Sequence, residues 1–184
     1  MLWKRFIDDI FVIWTRSASE FTTYMNTINQ LHHTIKFTYE LSETELTFLD
    51  ITVYKGDRNQ ILDVRTHIKP TNKQLYIHTS SYHPLTTINA ISKGKVNRYL
   101  RTNSDEREFR KLKQKWTNKL LQRGCKHKQI LSHINAVKFN QRHQILFQGK
   151  PKNNKKKLVF VTQFCDDAQR LKQILKKHWK LNPQ

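Results

Sequence analysis

Leu2-Trp3-Lys4-Arg5-Phe6 and Ile10-Phe11-Val12-Ile13-Trp14 are short runs rich in aromatic and β-branched residues, parted by Ile7, Asp8 and Asp9. Two such runs around a short break predict a pair of strands joined by a tight turn. The pattern then changes period. In SASEFTTYMNTINQLHH, Phe21, Tyr24, Ile28 and Leu31 recur at helical spacing, with Ser17 or Ser19 placed to cap the helix ahead of Glu20. Three further β-like runs follow, IKFTYELS, LTFLDITVYK and ILDVRTHIK, with GDRN as a turn between the last two.

Pro70 and Pro84 restrict the residues before them to non-helical shapes, so KPTNKQLYIHTSSYHP reads as an extended crossing. Beyond Pro84 the periodicity is helical in LTTINAISKGKVNRYLR, SDEREFRKLKQKWTNKLLQRG and KHKQILSHINAVKFNQRHQIL. Asp105, Glu106 and Glu108 crowd the first turn of the second of these helices, where the helix dipole favours acids, and Gly124 marks its stop. QGKPKNNKKK is a basic linker, KLVFVTQF a strand and DDAQRLKQILKKHWKL a last helix. The expected fold class is α+β, and no internal repeat is apparent.

The charge balance narrows the function. Of 184 residues, 34 are Lys or Arg and 14 Asp or Glu, a net charge of +20 that points to a polyanionic partner, nucleic acid first. No apolar segment is long enough to span a bilayer, and the acids of MLWKRFIDDI break any signal-peptide core. Two cysteines, Cys125 and Cys165, far apart in sequence, argue against a disulfide framework and for an intracellular protein. The basic run at residues 152–157 is read as a flexible linker, with nuclear import as the weaker alternative. Cys125, His127, His133 and His143 match no common zinc spacing.

The chemistry concentrates at Asp8 and Asp9. Adjacent carboxylates repel and are costly to desolvate, so they call for water, a turn or a cation. Turns favour Asp, yet no glycine stands near this pair, and spacing alone leaves a plain turn and a metal site evenly matched. A carboxylate pair presented at a strand turn suits two-metal phosphoryl transfer, because Mg²⁺ takes hard oxygen ligands and bridges phosphates. The second pair, Asp166 and Asp167, opens a helix, and capping accounts for it.

WKRFIDDIFVIW resembles the motif C hairpin of reverse transcriptases, with the x-x-D-D box written Phe6-Ile7-Asp8-Asp9 and Phe in place of the commoner Tyr. The order of Phe48-Leu49-Asp50, Lys69-Pro70-Thr71, the Ser81 to Pro84 run and Arg98 to Arg101 is similar to that of Penelope-like retroelement reverse transcriptases. LVFVTQF and KKHW fit the region beyond the thumb in that family.

The resemblance implies a partial palm of β-hairpins and one helix over residues 1–83. A helical, helix-turn-helix-like thumb would occupy 84–148, and a basic linker with a small strand-helix unit 149–184. It implies Asp8 and Asp9 as catalytic Mg²⁺ ligands, and Phe48, Leu49 and Asp50 as a primer grip. Lys69 would belong to the nucleic-acid surface. Lys93, Lys95, Arg98 and Arg101 are also read as phosphate contacts from their charge and position. The partners would be an RNA template, a DNA primer and their hybrid duplex, together with the fingers and upstream palm of the same polyprotein.

The family's motif A Asp and fingers lie upstream of motif C, so this chain is expected to be an internal slice of a larger polymerase that does not extend primers alone. A GIY-YIG endonuclease, where such elements carry one, would lie beyond Gln184. The competing expectation is a non-enzymatic, basic helix-turn-helix-type nucleic-acid-binding module or retroelement remnant, in which the hairpin is scaffold.

Overall fold

The structure, a computed structural model, describes residues 1–57, 61–148, 161, 165 and 167–178. The fold is mixed α+β and divides into two compact units. The first is Met1–Asn72 with Thr102–Glu108, and the second is Lys73–Arg101 with the described residues from Phe109 onward.

In the first unit, β1 (Leu2–Phe6) and β2 (Asp9–Ile13) form the expected antiparallel hairpin, in register from Leu2 opposite Ile13 to Phe6 opposite Asp9. Helix α1 (Ala18–Gln30) follows, and Ser17 rather than Ser19 is its cap. The Ser17 hydroxyl accepts from the Glu20 N–H at 3.3 Å while the Glu20 carboxylate accepts from the Ser17 N–H at 3.1 Å. These reciprocal bonds satisfy two donors that a helix start otherwise leaves open.

The Ser17 N–H, its hydroxyl and Arg16, in that order of effect, hold the Glu20 carboxyl below the usual glutamate range. A carboxyl whose pKa is depressed by folding contributes stability above its unfolded pKa and loses it as the pH falls through the folded value. Circular dichroism of the chain should therefore show α1 weakening as the pH drops below the normal glutamate range. Glu20→Gln should remove that acid sensitivity, whereas Ser17→Ala keeps the backbone N–H that contributes most and removes only the hydroxyl's share, at a cost of about 1 kcal/mol at neutral pH; an acid profile unchanged in Glu20→Gln would contradict the capping box.

IKFTYELS is not a strand; the structure places residues 35–42 outside any ladder. The Asn29 side chain takes both backbone groups of Phe37, accepting from its N–H at 2.6 Å and donating to its carbonyl at 3.0 Å. Lys36 Nζ donates to the Asn29 and His32 carbonyls. A period-2 pattern makes a strand only where a neighbouring strand completes the ladder, and here a helix occupies one side of the segment.

LTFLDITVYK is two strands, β3 (Glu45–Phe48) and β4 (Ile51–Lys55), reversing at Leu49 and Asp50. With β5 (Leu62–Thr66) they form an antiparallel meander. The expected GDRN turn lies partly outside the described residues. Gly56 begins the β4–β5 connection, and a Cβ there would run into the Asp63 carboxylate, so no larger residue fits without a shift.

The open edge of β5 is closed by residues 102–104. Ser104 donates its N–H to the Val64 carbonyl and its hydroxyl to Asp63 Oδ1, both at 2.8 Å, and Asn103 Oδ1 accepts from the Thr66 N–H at 3.1 Å. Asn103 is fully buried with these bonds made, which meets the demand that buried polar groups be paired.

The second unit holds the main core. Helices α2 (Leu85–Thr102), α3 (Glu106–Gln122) and α4 (His127–Asn135) gather Ile88, Val96, Tyr99, Leu100, Phe109, Trp116, Leu120, Cys125, Ile130, Ile134 and Val137. Asp105 caps α3, its carboxylate accepting from the Arg107 and Glu108 N–H groups. Gly124 ends that helix's run with φ +81, and a side chain there would also press Thr79 Oγ1.

KHKQILSHINAVKFNQRHQIL is not one helix. After α4 come a 3₁₀ turn (Phe139–Gln141) and a short α5 (Arg142–Phe147). Val137 turns into the core, and the Lys113 ammonium accepts the break by donating to its carbonyl at 3.1 Å. Helix α6 (Ala168–His178) corresponds to the last expected helix. The expected linker from residue 149 and strand KLVFVTQF fall outside the described residues, apart from Val161 in the latter, and so does Asp166. No helix among the described residues is long and apolar enough to cross a membrane.

Candidate functional site

The hairpin of the first unit presents the acid pair at its tip. Ile7 and Asp8 form the two-residue turn, with Phe6 and Asp9 the last paired residues. Ile7 sits at φ +55, a left-handed conformation that glycine or asparagine adopts readily and a β-branched residue adopts only under strain. Arg5 Nε donates to the Ile7 carbonyl at 2.7 Å and steadies the reversal. Asp8 and Asp9 are exposed, and neither carboxylate has a hydrogen-bond or ion-pair partner among the described residues.

The same turn chemistry recurs at Phe48-Leu49-Asp50. Leu49 has φ +54, and Phe48 pairs with Ile51 as Phe6 pairs with Asp9. In both hairpins a Phe closes the ladder, an aliphatic residue takes the left-handed position and an Asp follows. The two are also in contact, since the rings of Phe11 and Phe48 lie 5.5 Å apart. The Asp50 carbonyl accepts from the His67 N–H at 2.8 Å, tying the second turn to the end of β5.

This repetition was present in the sequence as F-I-D and F-L-D, but a hairpin turn without Gly or Asn falls outside the usual turn signals. Among the described residues no third His, Cys, Asp or Glu joins the pair into a three-ligand group. Two adjacent, solvent-facing carboxylates supply oxygens of the kind Mg²⁺ takes, and further ligands would have to be waters, phosphates or another carboxylate.

The basic candidates divide between the units. In the first, Lys69 is exposed, and its carbonyl accepts from the Asn72 N–H at 2.9 Å in a turn. In the second, Lys93, Arg98 and Arg101 are exposed on α2. Lys95 is half-buried, its ammonium 5.2 Å from the Tyr99 ring centre and 5.7 Å from that of Tyr76. This cation is therefore partly engaged with aromatic faces within its own unit. Burial and the neighbouring Tyr76 push the Tyr99 phenol up to about 12, against a lowering influence from Arg98, so the phenol stays protonated at physiological pH.

Helix α3 adds exposed cations that the reading of α2 alone had missed: Arg107, Arg110, Lys111 and Lys115. Their signal was available in EREFRKLKQKW, where basic residues recur every three or four positions on the face opposite Phe109 and Trp116. Not every cation there faces solvent. Arg123 donates from Nε and Nη2 to the Tyr76 carbonyl at 3.1 and 2.8 Å, and burial lowers the Lys113 pKa. Both are structural.

Cys125 is buried in the core with its thiol pKa raised by that burial, and Cys165 is exposed; both are free. Compared with protein-family models, with curated proteins and with solved structures, the chain matches none.

Proposed function

We propose that the chain is part of a nucleic-acid polymerase, the carboxyl-terminal portion of a palm followed by a thumb. More narrowly, it belongs to an RNA-directed DNA polymerase of the Penelope-like type. The observation that carries this reading is the hairpin tip, where the Asp8 and Asp9 carboxylates face solvent, with no partner among the described residues, beside a strained Ile7. A plain turn takes one Asp, as Phe48-Leu49-Asp50 does, but draws nothing from a second adjacent carboxylate or from a β-branched residue at positive φ. A cation site that must meet the end of a substrate strand has use for both.

In this role Asp8, and less directly Asp9, would hold Mg²⁺ together with a carboxylate from the upstream palm. The cation supplies acidification of the primer 3′-hydroxyl and charge neutralisation at the leaving pyrophosphate. Phe48, Leu49 and Asp50, on the adjoining turn, would bear on the primer. Lys69 in the first unit, and Lys93, Lys95, Arg98 and Arg101 on α2, would contact phosphates, and the exposed Arg110, Lys111 and Lys115 of α3 would add to them in the second unit.

The second reading, a basic binding module without catalysis, is favoured by one observation: the second unit has its own core and its own exposed cations. Binding to an RNA–DNA hybrid, measured with the chain joined to an upstream palm that supplies the further carboxylate, separates the two. Both readings predict affinity that falls steeply with salt. The polymerase reading adds a preference for a hybrid with a recessed 3′ end over blunt duplex, strengthened by Mg²⁺ and lost on Asp8→Ala. Equal affinity for both ends, with no response to Mg²⁺ or to Asp8, leaves the module.

A further inference from the structure

The segment IKFTYEL, residues 35–41, has the alternation of a strand and no strand beside it. Its placement in the first unit is nevertheless ordered. Asn29 holds both backbone groups of Phe37, and Thr22, about 10 Å away along the same helix, lies 3.4 Å from the Tyr39 hydroxyl. The Tyr39 ring also meets Phe21 edge-on at 5.2 Å. Residues 37 to 39 therefore run antiparallel to α1.

In an extended chain, backbone groups of successive residues point to opposite sides. None of the backbone groups of Lys36, Thr38 and Glu40 has a backbone partner among the described residues, and with Phe37 directed at Asn29 an extended run would turn them to the other edge. The apolar side chains are left about half exposed: Ile35 is 55% exposed, Leu41 46%, and Tyr39, despite its contact with Phe21, 45%. An open edge with alternating apolar side chains is a template for another strand.

The sequence itself specifies which strand. Folded back on its own copy about Thr38, the segment sets Lys36 opposite Glu40, Phe37 opposite Tyr39 and Ile35 opposite Leu41. Each is a favourable cross-strand pair, the first once the Lys36 ammonium exchanges the Asn29 and His32 carbonyls for the facing Glu40: opposite charges, two aromatic rings, two aliphatic chains. A two-fold axis through Thr38 makes every pair occur twice, as an isologous dimer requires. The free edge carries the groups of residues 36, 38 and 40, so the hydrogen-bonded pairs fall at 36 with 40 and at 38 with 38, in agreement with that register.

We infer that residues 35–41 form an antiparallel strand pair with the same segment of a second copy of this chain. This assembly is independent of the polymerase reading. Seven-residue pairing buries less than a standard protein interface, so dissociation in the micromolar range is expected.

Sedimentation velocity on the nucleic-acid-free chain between about 1 and 200 µM tests it. The expected result is a reversible shift from monomer to dimer mass. Lys36→Glu and Glu40→Lys each set like charges opposite one another twice and should each weaken the dimer about tenfold or more. The double variant K36E/E40K restores the opposite pairing and should restore the dimer, although the bonds of Lys36 to α1 remain lost. A monomer throughout the range overturns the inference, as does a dimer indifferent to both single reversals or one that the double variant fails to recover.

Discussion

On the proposed polymerase reading, primer extension should fall below about one per cent of wild type when Asp8 is replaced by alanine in a polymerase that supplies the upstream palm, because a directly ligating carboxylate would matter more than supporting groups worth 10- to 100-fold. The physical argument starts from the tip of the first hairpin. Asp8 is a turn residue, exposed and without a partner among the described residues, so its removal leaves no buried charge stranded and no ladder bond broken. The fold should therefore be unaffected, with a melting midpoint close to wild type. On the same reading, template-primer binding at low Mg²⁺ should also persist, since it would rest on the basic helices. Loss of extension with both other properties kept would point to the cation. Asp8→Ala enzyme that still extends primers at wild-type rate would take Asp8 out of the metal site and favour the binding-module reading. Asp9→Ala, one residue into β2, should show the same separation to a smaller degree.

Trp116→Ala should destabilise the second unit by about 3–5 kcal/mol, a large share of the 5–15 kcal/mol by which domains are normally stable. The indole is 1% exposed at the centre of the main core, and it meets the Tyr76 ring edge-on at 4.6 Å. Its Nε1 also donates to the Ser92 carbonyl at 3.3 Å. Truncation therefore forfeits burial, an aromatic pair and a hydrogen bond, and the surrounding helices can close only part of the space. Urea unfolding followed by circular dichroism measures the loss. Trp3→Ala serves as the comparison, because Trp3 is 38% exposed on β1 and should cost far less. Equal effects of the two substitutions would contradict the packing of α2 and α3 around Trp116.

Much of this architecture was readable from residue patterns. The hairpin over residues 2–13, the Ser17 start of α1, the two long helices after Pro84 and the Gly124 stop all rest on interactions between residues near in sequence. Period, caps and positive φ are local properties, and the sequence states them directly. The misreadings share a different origin. IKFTYELS carries the alternation of a strand but stands beside α1, because Asn29 and Lys36 occupy its backbone surroundings. The long helix expected from Lys126 to Leu146 breaks after α4, where Val137 enters the core and Lys113, 24 residues earlier, takes its carbonyl.

The candidate site divides along the same line. That Asp8 and Asp9 stand together, and that basic residues recur on α2 and α3, follows from the sequence. That the first hairpin meets the second through Phe11 and Phe48 does not, for those residues are 37 positions apart and only packing brings them together. Nor could spacing tell which cations face solvent. Lys93 and Arg101 do, whereas Lys95 leans on Tyr76 and Tyr99, and Arg123 is bound to the Tyr76 carbonyl. By itself, then, the sequence determined the α+β class, the strong positive charge, the acidic turn and the local starts and stops of its helices, since each depends on neighbouring residues alone. Tertiary structure decided which alternating segment becomes a strand, where a helical pattern is interrupted and which charges remain available to a partner, because each of those outcomes depends on what a distant part of the chain places alongside.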